Sequence, residues 1–424
     1  MKRIPQTTRR VWVLSELYYP EQSATGYYVT GVAEALANDF DVRVLCAQPT
    51  YAARGTKAPQ REVRRGVTIY RCLATTFNKD RLAFRFVNLL TISLSILLCG
   101  LFRIRTGDIV FVVTNPPTLP FVASLICKFR NCALVLRIED VYPEALVAAG
   151  FTRRDSLLVK AINVLHRWLY RKAAAVIVLG HDMKALVERK AVASKGGNST
   201  NKLSVIPNWA DVEDIRPLPR EGNPLLRRLG LEGKFVLQYS GNMGRTHDIE
   251  ILVEAATLLR SVEDIHFLFI GSGAKAPSLY RAKASRKLAN MNILPPLDRT
   301  ELLVSLNACD VAVISFVSDM AGVSVPSRMY NVFAAGKPIL AISDKESEIG
   351  RVIEETQLGW VIAPGDLIGL QKAILHVFEN RNLLSAFSDK AHSFVQRDYT
   401  YASVTERYKQ LIRNVSNNHL VQQE

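Results

Sequence analysis

The sequence predicts an α/β protein with two doubly wound, Rossmann-like domains. Three observations predict it. Short apolar runs alternate with helical segments, the pattern of a parallel sheet covered on both faces. The alternation halts at a polar, proline-rich stretch, PNWADVEDIRPLPREGNP, and then starts afresh. At 424 residues the chain exceeds one ordinary domain, and its 48% hydrophobic content is ample for two cores.

The first series opens with a strand over 11–15, a Tyr- and Pro-rich loop to Gly26, and a helix over 28–39. Strands are expected over 42–47, 67–73, 109–114, 133–138 and 174–179, because each is a short, mostly apolar run. Helices are expected over 119–129, 157–172 and 183–190. The segment 86–102, FVNLLTISLSILLCGLF, carries no charge and is bracketed by Arg81, Arg85, Arg103 and Arg105. A buried core helix and a helix lying in a membrane interface both fit this pattern, and the arginine flanks favour the interface. A span would be at the short limit of length, and the mid-domain position excludes a signal peptide.

After the linker, strands are expected over 235–240, 266–271, 292–294, 311–315, 338–342 and 360–362. Helices over 249–259, 279–287, 300–308 and 348–355, and one starting at Ser327, fall between them. The expected division is 1–208, 209–395, and a C-terminal helical segment 396–424 that returns to the first domain and ends in a polar tail. The first ten residues and 414–424 read as loose. Two such sheets would face each other across a cleft at the carboxyl ends of their strands.

Net charge is +15, and its placement is uneven. Residues 1–210 hold 30 Lys and Arg against 14 Asp and Glu, while the remainder holds 24 against 25. A basic first half suits an anionic membrane surface. No nucleic-acid motif accompanies the charge, so nucleic acid is not an expected partner. Six scattered cysteines, without CxxC or histidine at ligand spacing, suggest reduced thiols in a cytoplasmic setting and no structural metal.

Candidate functional residues cluster where strands end. Tyr18–Gly26 leaves the first strand, with Gly26 permitting close backbone approach to a ligand. In the second series, YSGNMGRTHD offers Gly241 and Asn242 in a glycine loop and Arg245 as a counter-charge for a diphosphate. The stretch GVSVPSRMYNVFAAGKP offers Ser324 and Val325 in an extended turn, then Ser327 as helix start. Arg328 lies in the first turn and Asn331 one turn later, with Gly336 closing the helix before Pro338. A helix start with a guanidinium in its first turn is an anion site. Pro296 lies in a turn that either faces a base or only connects. Glu139, Asp140 and Glu144, in RIEDVYPEALVAAG, are the carboxylates placed to accept a proton from a sugar hydroxyl, with helix capping as the alternative for Asp140. Glu348 follows a second-series strand. The Asp39-Phe40-Asp41 triplet is at the wrong edge of the sheet for a metal, and neither GxGxxG nor a Walker loop is present.

In order and spacing these pieces resemble the retaining glycosyltransferases of GT-B architecture, over nearly the whole chain. The Tyr18-Tyr19-Pro20 start, DVYPE, PNWAD, YSGNMGR and VPSR look most like the bacterial polysaccharide-assembly branch, such as colanic acid and O-antigen N-acetylfucosaminyl transferases. Pro326 and Ala334-Ala335-Gly336-Lys337-Pro338 fall in register with the family's donor segment. The two family glutamates are replaced by Val323 and Asn331, and the family's Arg and Lys after the glycine loop by Asn242 and His247. The resemblance implies a nucleotide-diphospho-sugar donor and an undecaprenyl-diphosphate-linked saccharide acceptor. It also implies a peripheral position on the inner membrane, with no cofactor and no metal. By position, Glu348 matches a glutamate near the donor. The missing glutamates leave two rivals: a nucleotide-sugar-binding protein without turnover, and a GT-B-type sugar-nucleotide epimerase.

Overall fold

The computed structural model describes residues 9–21, 23–49, 57–77, 82–192 and 202–421. These residues form two compact units. The first gathers the described residues up to Tyr142, then Leu157–Pro207, and the C-terminal helix from Ala402. The second gathers Pro143–Ser156 and Asn208–Tyr401.

In the first stretch of chain the elements run β1 (Arg10–Leu14), α1 (Ala24–Leu36), β2 (Asp41–Cys46), β3 (Arg61–Arg64), β4 (Val67–Arg71), α2 (Leu82–Arg103) and β5 (Ile109–Val113). They continue with α3 (Leu119–Arg130), β6 (Ala133–Arg137), α4 (Glu144–Ala148), α5 (Leu157–Lys172), β7 (Ala175–Val178), α6 (His181–Val192) and β8 (Leu203–Val205). The sheet order is β3-β4-β2-β1-β5-β6-β7-β8, parallel except for β3. The order turns at β1, so the loops leaving β1 and β5 diverge there, where doubly wound sheets place ligands. Every residue of β5 and β6 is buried, which is why β5 is wholly apolar and β6 is apolar up to Arg137. The sequence reading missed β3. Its pattern, REVR, is that of a charged edge strand.

The second stretch runs α7 (Pro224–Leu229), β9 (Phe235–Ser240), α8 (Glu250–Leu258), β10 (Ile265–Ile270), α9 (Ala276–Arg286), β11 (Met291–Leu294), α10 (Leu302–Leu306) and β12 (Val311–Ser315). Then come α11 (Arg328–Ala334), β13 (Ile339–Ile342), α12 (Glu348–Thr356), β14 (Gly359–Ile362), α13 (Leu367–Glu379), α14 (Ser385–Asp398) and α15 (Tyr401–Val421). The sheet is fully parallel, in the order β11-β10-β9-β12-β13-β14. Its switch point lies between β9 and β12, the strands that carry the glycine loop and the VPSR turn.

The fold departs from the sequence's expectations at three points. The first helix begins at Ala24, because the Ser23 hydroxyl accepts the Gly26 N–H and caps it. The C-terminal residues through Val421 are helical rather than loose. Val415 and Ser416 are buried, and α15 is tied to the first unit by Arg413–Asp39 at 2.5 Å and Tyr408 against Phe111. Finally, Ser327 precedes α11 but makes no side-chain cap, since its own backbone is already helical. Gly336, at φ +70°, closes α11 as its sequence position predicts. The six cysteines are free thiols.

Candidate functional site

At the carboxyl edge of the second sheet three loops lock together through their backbones. The loop after β9 and the loop after β10 exchange Gly241 N to Ile270 O (2.9 Å), Met243 N to Ser272 O (2.8 Å) and Lys275 N to Met243 O (2.9 Å). A Cβ on Gly271, at φ +145°, would collide with the Gly241 carbonyl. Glycine at 271 and 273 is therefore required by loop-on-loop packing. The loop after β12 joins them: Val317 N donates to Thr246 O (3.0 Å) and Ser315 Oγ to Asp248 O (2.6 Å).

Arg328, in the first turn of α11, reaches into this junction. Its guanidinium lies 4.6 Å from the centroid of the Tyr239 ring and donates to Ser240 O (2.9 Å) and the Tyr239 hydroxyl (3.3 Å). A Cβ on Gly241 would sit 2.5 Å from Nη1, so a residue other than glycine at 241 would displace the arginine. The Tyr239 hydroxyl in turn donates to Asn242 O at 2.7 Å. Burial holds this phenol above its usual pKa, against the pull of Arg328, so it stays a donor. Gly241, Asn242 and Arg328 are thus brought to one point. Sequence reasoning missed Tyr239 as the platform, although an aromatic ending the strand before the glycine loop is its signal.

The other predicted donor residues are placed differently. Arg245 is exposed, and its guanidinium lies 5.4 Å from the Phe151 ring centroid, in the segment Pro143–Ser156. His247 is not a surface residue: it stacks on Phe316 at 5.3 Å. Pro296 is exposed in the coil after β11, Ser324 is half-buried, and Val325 is buried, so only its backbone is available to a ligand. Glu348 is buried at the start of α12 and pairs with Arg351 at 2.7 Å.

Asn331 is engaged within the protein rather than free for a ligand hydroxyl. Its Oδ1 accepts the Asp211 N–H (2.9 Å) and its Nδ2 donates to Asp211 Oδ2 (3.3 Å), while Arg299 pairs with the same carboxylate. The negative charge at this point of the fold is carried by Asp211, from PNWAD, which is why a glutamate at 331 would be repelled.

In the first unit, Glu139 and Asp140 follow β6. Thr114 Oγ1 accepts both of their N–H groups, at 2.9 and 3.4 Å. Arg137 is fully buried, pairs with Glu139 at 3.1 Å and lies 5.7 Å from the Tyr408 ring centroid. Burial raises the Glu139 carboxyl above its usual range, Arg137 opposes this, and Asp140 adds to it. Glu139 therefore has a structural partner, and Asp140 is the acid at the half-buried loop. Glu144 begins α4 in the other compact unit, so the structure does not group it with these two. Among the described residues no cluster of three His, Cys, Asp or Glu could hold a metal ion.

Two histidines, His166 buried and His247 half-buried, set an acid limit. His166, among Phe121, Tyr142 and Tyr170, is lowered to about 4 by burial, helped by Lys190. His247 is lowered to about 3 by burial, then by Arg328 and Lys275. An unfolded histidine titrates near pH 6.5. Between that pH and the folded values the unfolded chain binds more protons, so stability is complete above about pH 6.5 and falls as pH drops towards 4. The melting temperature should decline between pH 7 and 5, and His166→Phe should flatten that decline. An unchanged slope in the variant would remove His166 from the account.

Comparison with known proteins identifies both halves of the chain. Residues 23–209 match the pattern of the Glycosyl transferase 4-like domain, and residues 226–394 that of Glycosyl transferases group 1. The chain is 31% identical over 415 residues to a protein of Pseudomonas aeruginosa named as the glycosyltransferase WbjE, covering 95% of this chain and 98% of that one. It is 25% identical over 352 residues to an Escherichia coli K12 protein named as the colanic acid biosynthesis glycosyl transferase WcaI, covering 80% and 84%. Among solved structures, Anabaena HepE in complex with UDP and glucose superposes with a TM-score of 0.72 at 14% identity, covering 96% and 100%. Two parallel α/β units, two family patterns in the order of those units and a near full-length relative lead to one conclusion: this chain is a glycosyltransferase and belongs to the GT-B family that joins a glycosyltransferase 4-like half to a group 1 half.

Proposed function

We propose that the protein is a retaining transferase of polysaccharide assembly, moving a sugar from a nucleotide-diphospho-sugar to a lipid-linked saccharide at the cytoplasmic face of the inner membrane. The observation that carries the donor assignment is the Arg328 guanidinium held over Gly241 at the carboxyl edge of the second sheet. A diphosphate seated there meets a cation fixed by Tyr239 and Ser240 before it arrives, which costs little reorganisation. Arg245 adds charge on leaving Phe151. In the reaction, the bond between the anomeric carbon and the diphosphate oxygen breaks. The acceptor oxygen bonds to that carbon, and the nucleoside diphosphate departs with its charge met by the arginines. Asp140 takes the proton of the acceptor hydroxyl.

The polysaccharide reading rests on the likeness to WcaI, named for colanic acid biosynthesis. Because HepE is known with UDP and UDP-glucose, uridine diphosphate sugars head the screen. A thermal-shift survey of nucleotide sugars should single out one donor. That donor, labelled in the sugar, should then transfer label to a lipid-extractable product when membranes are added. Label released only as free sugar would defeat the transferase-to-lipid reading. Arg328 and Arg245 supply the leaving-group charge in this scheme, so transfer should survive EDTA. A loss reversed by Mn²⁺ or Mg²⁺ would transfer that role to a metal.

A further inference from the structure

The helix α2 is apolar on both faces, and only one of them is covered. Asn88, Ile92, Ile96 and Gly100, spaced by four, are buried. This inner face is tied down along its length. Thr75 bonds Asn88 and Thr91, Ser93 Oγ meets Thr118 Oγ1 at 2.8 Å, and a Cβ on Gly100 would meet the Ile126 side chain at 2.5 Å. The opposite face, Phe86, Leu90, Leu94, Leu98 and Phe102, again spaced by four, is exposed, with Leu94 at 58% and Phe102 at 84%. Only 28% of the 18-residue stretch Phe86–Arg103 is buried, against a mean hydropathy of 1.9. A helix held to the unit all along one side has the attachment of one lying in an interface plane rather than crossing it.

The neighbours extend this surface. Helix α3 packs against both α2 and α5, the latter through Phe121 on His166. It exposes Leu125 and Phe129, again one turn apart. Helix α5 exposes Leu157, Leu158, Val164 and Leu165, with Leu157 at 82%, while Val159, His166 and Leu169 face inward. The charge of the three helices is one-sided: they contain eight Lys or Arg and no Asp or Glu. Single exposed apolar residues are ordinary, whereas three adjacent helices each with an outer apolar row are not. At the end of α2, Arg103 lies 4.3 Å and Arg61 5.7 Å from the Tyr70 ring centroid, beside a cavity of about 220 Å³. Neither arginine pairs with a carboxylate among the described residues.

The geometry points to a membrane platform built from α2, α3 and α5 together, which docks the first unit on an anionic bilayer, with Arg61 and Arg103 taking a headgroup phosphate at its edge. The absence of acid across the platform selects an anionic bilayer over a second copy of this basic chain, whose own surface would repel it. The inference deepens the lipid-linked-acceptor reading, and its test needs neither acceptor nor turnover, so each can fail alone.

The full chain should co-sediment with vesicles of phosphatidylglycerol and phosphatidylcholine, and far less with phosphatidylcholine alone. Leu94→Glu with Leu98→Glu, both at exposed positions, should lower binding at least about tenfold with an unchanged melting temperature. Leu157→Glu with Leu165→Glu, on α5, should do the same, and this pair decides the matter if the α2 pair unfolds. Arg61→Ala with Arg103→Ala should lower binding to the anionic vesicles while leaving the weak binding to neutral ones. Vesicle binding by the α5 variant equal to the parent would overturn the three-helix platform. A parent that ignores anionic vesicles, or forms a dimer that the same substitutions dissociate, would overturn the bilayer as occupant. Nucleotide-sugar binding measured by thermal shift on each variant should be unaffected.

Discussion

Arg328→Ala should weaken nucleoside diphosphate binding by about 1.5–3 kcal/mol, the range for a hydrogen bond to a charged group, or roughly ten- to hundred-fold in Kd. The side chain is not deeply packed, so the fold should survive. What is lost internally are the bonds to the Ser240 carbonyl and the Tyr239 hydroxyl and the stacking on Tyr239. Arg328→Lys tests the shape of the cation as well as its charge. Lysine keeps the charge but cannot grip a carbonyl and a phosphate with one planar fork, so it should recover part of the affinity only. Gly241→Ala should mimic the alanine variant, because the new methyl would sit 2.5 Å from Nη1 and push the guanidinium away. Isothermal titration with UDP would check all three. Parent-like affinity in Arg328→Ala would detach the diphosphate from this loop junction.

Glu139→Ala should be the more damaging change to the protein itself. Arg137 is wholly buried and pairs with Glu139 at 3.1 Å. Removing one member of a buried pair costs about 3–5 kcal/mol, a large share of a typical domain's stability. Asp140→Asn should contrast with it: little change in melting temperature, with transfer lost because the amide cannot accept the acceptor's proton. Chemical denaturation beside a transfer assay separates the two. If Glu139→Ala melts like the parent and loses only activity, the roles assigned to these neighbouring acids are reversed.

Arg328 and Gly241 were legible because their setting is local: a strand end, a glycine, a helix start. Asn331 was not, since its partner Asp211 lies 120 residues away in the chain and meets it only in the folded unit. Glu139 likewise reads as a catalytic acid until Arg137 is seen beneath Tyr408, a residue of the C-terminal helix. Gly271 and Gly273 are needed where two loop backbones touch, a contact between segments that the sequence does not reveal.

By itself the sequence determined the two parallel sheets, because buried parallel strands must be apolar throughout and their crossovers helical. It also determined the positions of the glycine loop and the helix start, and the basic bias of the first half. Only the tertiary structure decided which polar residues are already occupied by partners. It also decided which face of 86–102 is covered, and that α3 and α5 continue its apolar surface. Those are properties of packing between distant segments, and hydropathy along the chain is the same for a face pressed against α3 as for a face left open.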